Sequence, residues 1–110
     1  MATKTRIEKD SLGEMHVPVD KYWGAQTQRS LTNFNIGKEI VSLDLIKAVA
    51  VTKWAAASAN EKCHKIDHTR ANLIRRACEE IIAGKLDVNF PTHAYQAGSG
   101  TQTNMNVNEV

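Results

Sequence analysis

Apolar residues recur at three- and four-residue spacing through 42–60: Leu43, Ile46, Val49, Ala50, Trp54 and Ala57. That period predicts a helix with one buried stripe. Ser42 is a suitable N-cap, and Asp44 falls in the first turn, where the helix dipole favours an acid. The opposite side carries Ala48, Ala55, Ala56 and Ala59. Small residues around much of a helix permit close approach from several sides, which suits a bundle. A second stripe, Ala71, Ile74, Ala77, Cys78, Ile81 and Ile82, predicts a helix over 68–83. Asp67 is its expected cap and Gly84 its expected left-handed stop. Arg70, Arg75, Arg76, Glu79 and Glu80 fall on the polar side, a solvated face. There Arg75–Glu79 and Arg76–Glu80 have the i,i+4 spacing of weak ion pairs.

Residues 1–37 carry no such period and are expected to form no helix. Gly13 to Pro18 alternates small, polar and apolar residues and ends in proline, which predicts a short strand or extended arm. Tyr22 and Trp23 are expected to anchor that arm in the core. The predicted fold is therefore mainly α, a small helical domain with a short extended or hairpin N-terminal arm. Residues 1–110 are read as one domain.

Composition narrows the function classes. The chain has 110 residues, 42% of them hydrophobic but only 5% aromatic, so its core must rest on aliphatic residues and alanine. Lys plus Arg number 14 and Asp plus Glu 12, giving 14 − 12 = +2. So small an excess argues against nucleic-acid binding, and the apolar content argues against disorder. Met1 to Asp10 is polar, unlike a secretory leader, and no apolar run approaches the ~20 residues that cross a bilayer. Cys63 and Cys78 are read as reduced thiols of a cytoplasmic protein.

The segment 88–110 departs from the rest. It holds one charged residue, Glu109, among many amides and hydroxyls: Asn89, Thr92, Gln96, Ser99, Thr101, Gln102, Thr103, Asn104, Asn106 and Asn108. Surface loops ordinarily use charged residues, so neutral polar groups in this density are expected to be partly buried and hydrogen-bonded. A helix is expected to begin near Thr103. Just before it, Gly98-Ser99-Gly100-Thr101-Gln102 admits two readings. One is an anion site, in which glycines let backbone amides approach a ligand at a helix N-terminus and hydroxyls add donors. The other is a Gly-Ser turn that simply starts the helix. The run lacks the Lys of a phosphate-binding P-loop and the spacing of the dinucleotide fingerprint.

His64 and His68 have metal-ligand spacing only if one helix carries both, and Lys65 to Asp67 read as a break, so no metal site is expected. His93 could move a proton near neutral pH, but no carboxylate lies beside it in sequence, which favours a packed or exposed histidine. No Ser/His/Asp or Cys/His constellation is legible.

The run Gly98 to Val110, with Glu8-Lys9-Asp10-Ser11-Leu12-Gly13, Val17-Pro18, Tyr22 to Ser30 and Phe90-Pro91, resembles the N-terminal part of class II fumarate hydratase, in the fumarase/aspartase superfamily. The resemblance covers essentially all 110 residues in order. Aspartate ammonia-lyases share the layout but usually spell the loop with Gly-Thr-Ser, so the Gly-Ser-Gly-Thr-Gln spelling favours the hydratase. His93-Ala94-Tyr95 departs from the apolar residues and tryptophan common there, without touching a catalytic role.

The resemblance implies reversible hydration of fumarate to L-malate with no metal or organic cofactor. It implies that Ser99, Gly100 and Thr101 bind substrate. It places the catalytic serine on a Gly-Ser-Ser loop absent from this sequence, so no catalytic residue is expected within it. It further implies a homotetramer whose sites are shared among subunits; the reduced thiols, small net charge and lack of a spanning run add the expectation of a cytoplasmic protein with neither membrane nor nucleic acid as partner. The chain then reads as the first domain of a longer enzyme, inert by itself. Aspartate ammonia-lyase chemistry and a stand-alone, non-catalytic helical interaction module are the alternatives.

Overall fold

A computed structural model describes residues 3–110. These residues form two strands and four α-helices: β1 (Thr5–Asp10), β2 (Gly13–Pro18), α1 (Ala25–Asn33), α2 (Leu43–Lys62), α3 (His68–Ile82) and α4 (Thr101–Glu109). The fold is mainly α with an N-terminal hairpin, as the residue pattern predicts. The chain divides into two compact units. One joins the segment ending at Ser42 to Val88–Val110; the other is Leu43–Asp87.

In the first unit β1 and β2 pair antiparallel, from Thr5 opposite Pro18 to Asp10 opposite Gly13. Residues alternate across the strands, so Val17 is fully buried while its neighbour His16 is exposed. The Arg6 guanidinium ties the hairpin to the segment that follows. Nη1 donates to the carbonyls of Pro18 and Lys21, and Nη2 to that of Trp23, each at 2.7 Å. Five fixed donors in a planar fork suit one arginine to several carbonyls at once.

Trp23 is an anchor as expected, 6% exposed, but Tyr22 is not: it is 63% exposed. What Tyr22 contributes is its backbone N–H, which donates to Asn89 Oδ1 at 2.8 Å. The expectation of no helix before residue 37 is also corrected, because Ala25–Asn33 is helical. Its buried residues are Ala25, Thr27 and Ser30, small or polar, so burial leaves no apolar period to read. Its N-terminus is closed by Glu109, whose Oε2 accepts from the N–H groups of Gly24 (3.0 Å) and Thr27 (2.9 Å) and whose Oε1 accepts from that of Gln26 (2.8 Å). A carboxylate on three amides at a helix start satisfies orphan donors and complements the dipole.

The second unit is a helical hairpin. Ile46, Ala50 and Ala57 of α2 and Ala71, Cys78 and Ile81 of α3 are buried. Asp67 caps α3 as expected, its side chain accepting from the Arg70 N–H at 2.8 Å. Both helices end in the same motif. After α2, Lys65 N–H donates to Asn60 O and His64 N–H to Glu61 O. After α3, Lys85 N–H donates to Glu80 O and Gly84 N–H to Ile81 O. Each motif needs a left-handed residue: Gly84 at φ +77°, as expected, but His64 at φ +55°.

Trp54 of the predicted stripe is 38% exposed, its Nε1 donating to Glu79 Oε1 at 3.1 Å. The ion pairs predicted along α3 are replaced by one between helices, Arg75 Nη1 to Glu61 Oε2 at 2.6 Å. Glu61 also meets His68. Cross-helix partners win because they fix the hairpin, whereas i,i+4 pairs on an exposed face yield only tenths of a kcal/mol. The alanines opposite the stripe, Ala48, Ala55, Ala56 and Ala59, are exposed.

Candidate functional site

The uncharged segment 88–110 builds the candidate site. Its polar groups do go inside: Asn89, Thr92, Thr103 and Asn106 are buried. Asn106 Nδ2 donates to the Asn89 carbonyl at 2.9 Å, while Asn89 Oδ1 receives Tyr22 N–H, so one amide relay links α4 to the arm. Backbone ties fix the chain ahead of the loop, Val41 N–H to Thr92 O at 3.0 Å and Ala94 N–H to Glu39 O at 2.9 Å.

Helix α4 starts at Thr101, two residues before the expected point. Gly100 is its N-cap at φ +73°, ψ +12°, a left-handed conformation that a side chain would strain. A Cβ at Gly98 or Gly100 would meet nothing within 4 Å, so the backbone there lies open. Gly100 N–H turns back to Ala97 O at 3.2 Å. The Ser99 and Thr101 hydroxyls meet at 2.9 Å, both residues exposed. Having no side chain, Gly100 cannot cap the helix, and Gln96 does so instead. Its Oε1 accepts from both the N–H and the Oγ1 of Thr103, each at 3.1 Å.

An open groove of about 330 Å³ runs past these hydroxyls. Besides Ser99 and Thr101 it is lined by Gln102 and Met105 of α4, Gln26 and Arg29 of α1, and Asp10 of the hairpin. Arg29 is already engaged. Its Nη2 donates to Asp10 Oδ1 at 2.7 Å and its Nε to Asp10 Oδ2 at 3.1 Å. That fork holds the Asp10 carboxyl below the usual carboxylate range and raises Arg29 in return. The groove therefore offers neutral donors and a dipole beside a cation whose charge is largely matched.

Ser99, Gly100 and Thr101 thus come together at one helix start, and Gln102 joins them. The other candidates do not. His64 closes α2, while His68 opens α3 and pairs with Glu61, so no single helix carries both. Among the described residues no group of three or more His, Cys, Asp or Glu could hold a metal ion. His93 forms a bridge with Ile40, and its Nδ1 is buried without a partner among the described residues. Cys63 is exposed and Cys78 buried, both free thiols; burial pushes the Cys78 pKa up. No helix among the described residues is long and apolar enough to cross a membrane. The sequence reading missed Gln96 as the cap of α4. The available signal was a glycine in the capping position, which forces the cap to come from elsewhere.

A family model described as lyase matches residues 13–110. A class II fumarate hydratase of Halalkalibacterium halodurans is 55% identical over 106 residues, which cover 96% of this chain and 23% of that protein. One from Prochlorococcus marinus is 51% identical over 110 residues, 100% of this chain and 24% of that protein. The crystal structure of a class II fumarase from Schistosoma mansoni matches with a TM-score of 0.95 and 44% identity, covering 96% of this chain and 22% of that one. The chain therefore spans about a quarter of the length of the curated relatives it matches.

Proposed function

This chain belongs to the lyase family, and from that membership we propose that it is part of a class II fumarate hydratase, catalysing reversible addition of water to fumarate to give L-malate. The observation that carries the reading is the start of α4: the Ser99 and Thr101 hydroxyls 2.9 Å apart beside an open glycine backbone, at the positive end of a helix. The names of the relatives, 51–55% identical to it, support the hydratase over the ammonia-lyase.

Fumarate is a dianion, and in the dehydration of L-malate removing the proton beside a carboxylate puts further charge on that carboxylate. Donors fixed before the reaction stabilise that charge without reorganising during it. The Thr101 and Gln102 amides, which turn to no carbonyl among the described residues, and the Ser99 and Thr101 hydroxyls are suited to that role. Ser99, Gly100 and Thr101 are accordingly proposed as substrate-binding residues. Hydration moves a proton and a hydroxyl and no electrons, so the reaction balances without a redox cofactor. The acid and base that move the proton are assigned to other parts of a longer enzyme. That enzyme is read as a cytoplasmic homotetramer with this segment as its N-terminal domain.

The test is Thr101→Val in the full-length enzyme, with fumarate consumption followed in the presence of water alone and of ammonia. A fall in kcat of roughly 10²–10³ in the water reaction is expected. Unchanged turnover overturns the assigned role, and a product formed only with ammonia overturns the hydratase.

A further inference from the structure

We propose that Gln96 is the positioning residue of the Ser99–Thr101 loop, holding the free donors at the start of α4 in register for a dicarboxylate. The proposal rests on the reading of that loop as the substrate site. Gln96 lies just before the loop and bonds to the chain on either side of it. Its Nε2 donates to the His93 carbonyl at 2.7 Å, on the entering strand of chain. Its Oε1 accepts twice from Thr103, two residues inside the helix. These contacts fix which way the amide points. Flipped, it would set Nε2 against the Thr103 N–H and Oε1 against the His93 oxygen, losing both of those bonds; only the Thr103 hydroxyl, which can also accept, would keep a partner.

The division of labour among the helix's first amides follows. A helix start leaves its first N–H groups without intrahelical partners, and an ordinary Ser, Thr or Asp cap would fold its own side chain over them. Here Gly100 supplies no side chain. Gln96 reaches across the loop and takes the third amide, Thr103, together with that residue's hydroxyl. The amides of Thr101 and Gln102 donate to no carbonyl among the described residues, and both residues line the groove together with Ser99. A helix capped from behind in this way keeps its anion-facing end open. Because Thr103 is buried and Gln96 half-buried, the staple is shielded from water, while the donors it positions are exposed.

The experiment uses the full-length enzyme carrying Gln96→Leu, Thr103→Val or Thr103→Ser, with Thr101→Val as reference. Each folded variant is measured for kcat, KM and the Kd of succinate, a dicarboxylate that cannot react, alongside its melting temperature. Gln96→Leu is expected to lower kcat/KM and weaken succinate binding by about tenfold or more, the equivalent of one lost hydrogen bond to a buried group. Thr103→Val, which keeps the amide and loses the hydroxyl, is expected to show a smaller loss that Thr103→Ser restores. A purely structural role would lower the melting temperature and leave succinate affinity per folded molecule unchanged, and that result overturns the proposal. If Gln96→Leu does not fold, the Thr103 pair decides by the same criterion: equal succinate affinity in Val and Ser variants overturns it. Loss of activity in Thr101→Val with none in the Gln96 and Thr103 variants rejects the positioning role alone, whereas no loss in Thr101→Val rejects the substrate-loop reading beneath it.

Discussion

Glu109 sits against Gly24 so closely that a Cβ there would meet its Oε1 at 3.0 Å, and the Gly24 N–H is one of three that its carboxylate holds. The start of α1 is thus shaped around a side chain from the far end of α4. Replacing Glu109 with Ala should cost about 2 kcal/mol, within the range for a lost helix cap whose bonds carry charge. Gly24→Ala alone should destabilise, because the tethered carboxylate must shift. In a Glu109→Ala background it should be close to neutral. Urea denaturation of the four-member cycle checks this; additive effects would mean the two residues are not coupled.

His64→Gly should stabilise the protein by up to about 1 kcal/mol. A left-handed residue other than glycine costs roughly 1–2 kcal/mol, part of which is returned through the freer unfolded chain that glycine brings. The helix after it already uses Gly84 for the same motif. A lower melting temperature for the glycine variant would show that His64 makes a compensating contact.

Acid should weaken the hairpin's attachment to α1. Arg29 beside Asp10 holds that carboxyl below its ordinary value. A depressed folded-state pKa contributes stability that is complete above the unfolded value, about 3.9, and is lost as pH falls through the folded one. Glu61 behaves alike, lowered first by Arg75 and then by His68. Stability measured by denaturation should therefore fall below about pH 4, and Asp10→Asn should flatten that fall while lowering stability at pH 7. An Asp10→Asn variant with an unchanged pH slope would remove Asp10 from this account.

Thiol labelling should discriminate between the two cysteines. Cys63 is exposed, whereas Cys78 is buried with its pKa pushed up, so it presents little thiolate. A disulfide-exchange reagent at pH 8 should modify one thiol quickly and the second only on the timescale of unfolding. Two equal fast phases would contradict the burial of Cys78.

What could be read from the residues alone depended on whether the cause was local. Helices α2 and α3 carry their own stripes, and Asp67 and Gly84 stand where their chemistry is needed, so both were legible. Helix α1 was not, because its cap comes from residue 109 and its buried side is Thr27 and Ser30 rather than leucine. Tyr22 reads as an anchor by type, yet only its backbone N–H is used in that way. The loop at 98–102 was visible from its glycines and hydroxyls. The residue that caps it was not, because Gln96 acts across a turn rather than from the capping position.

The cap on α1 also sets an order of events during synthesis. The hairpin of α2 and α3 is contiguous, so it can form as soon as residues 43–87 are made. Helix α1 emerges before it, but the carboxylate that closes α1 lies 85 residues after Gly24. A nine-residue polar helix without its cap is marginal on its own. Until translation reaches Glu109, α1 must therefore do without its cap, and the loop at 98–102 and that cap arrive within the same short stretch of chain.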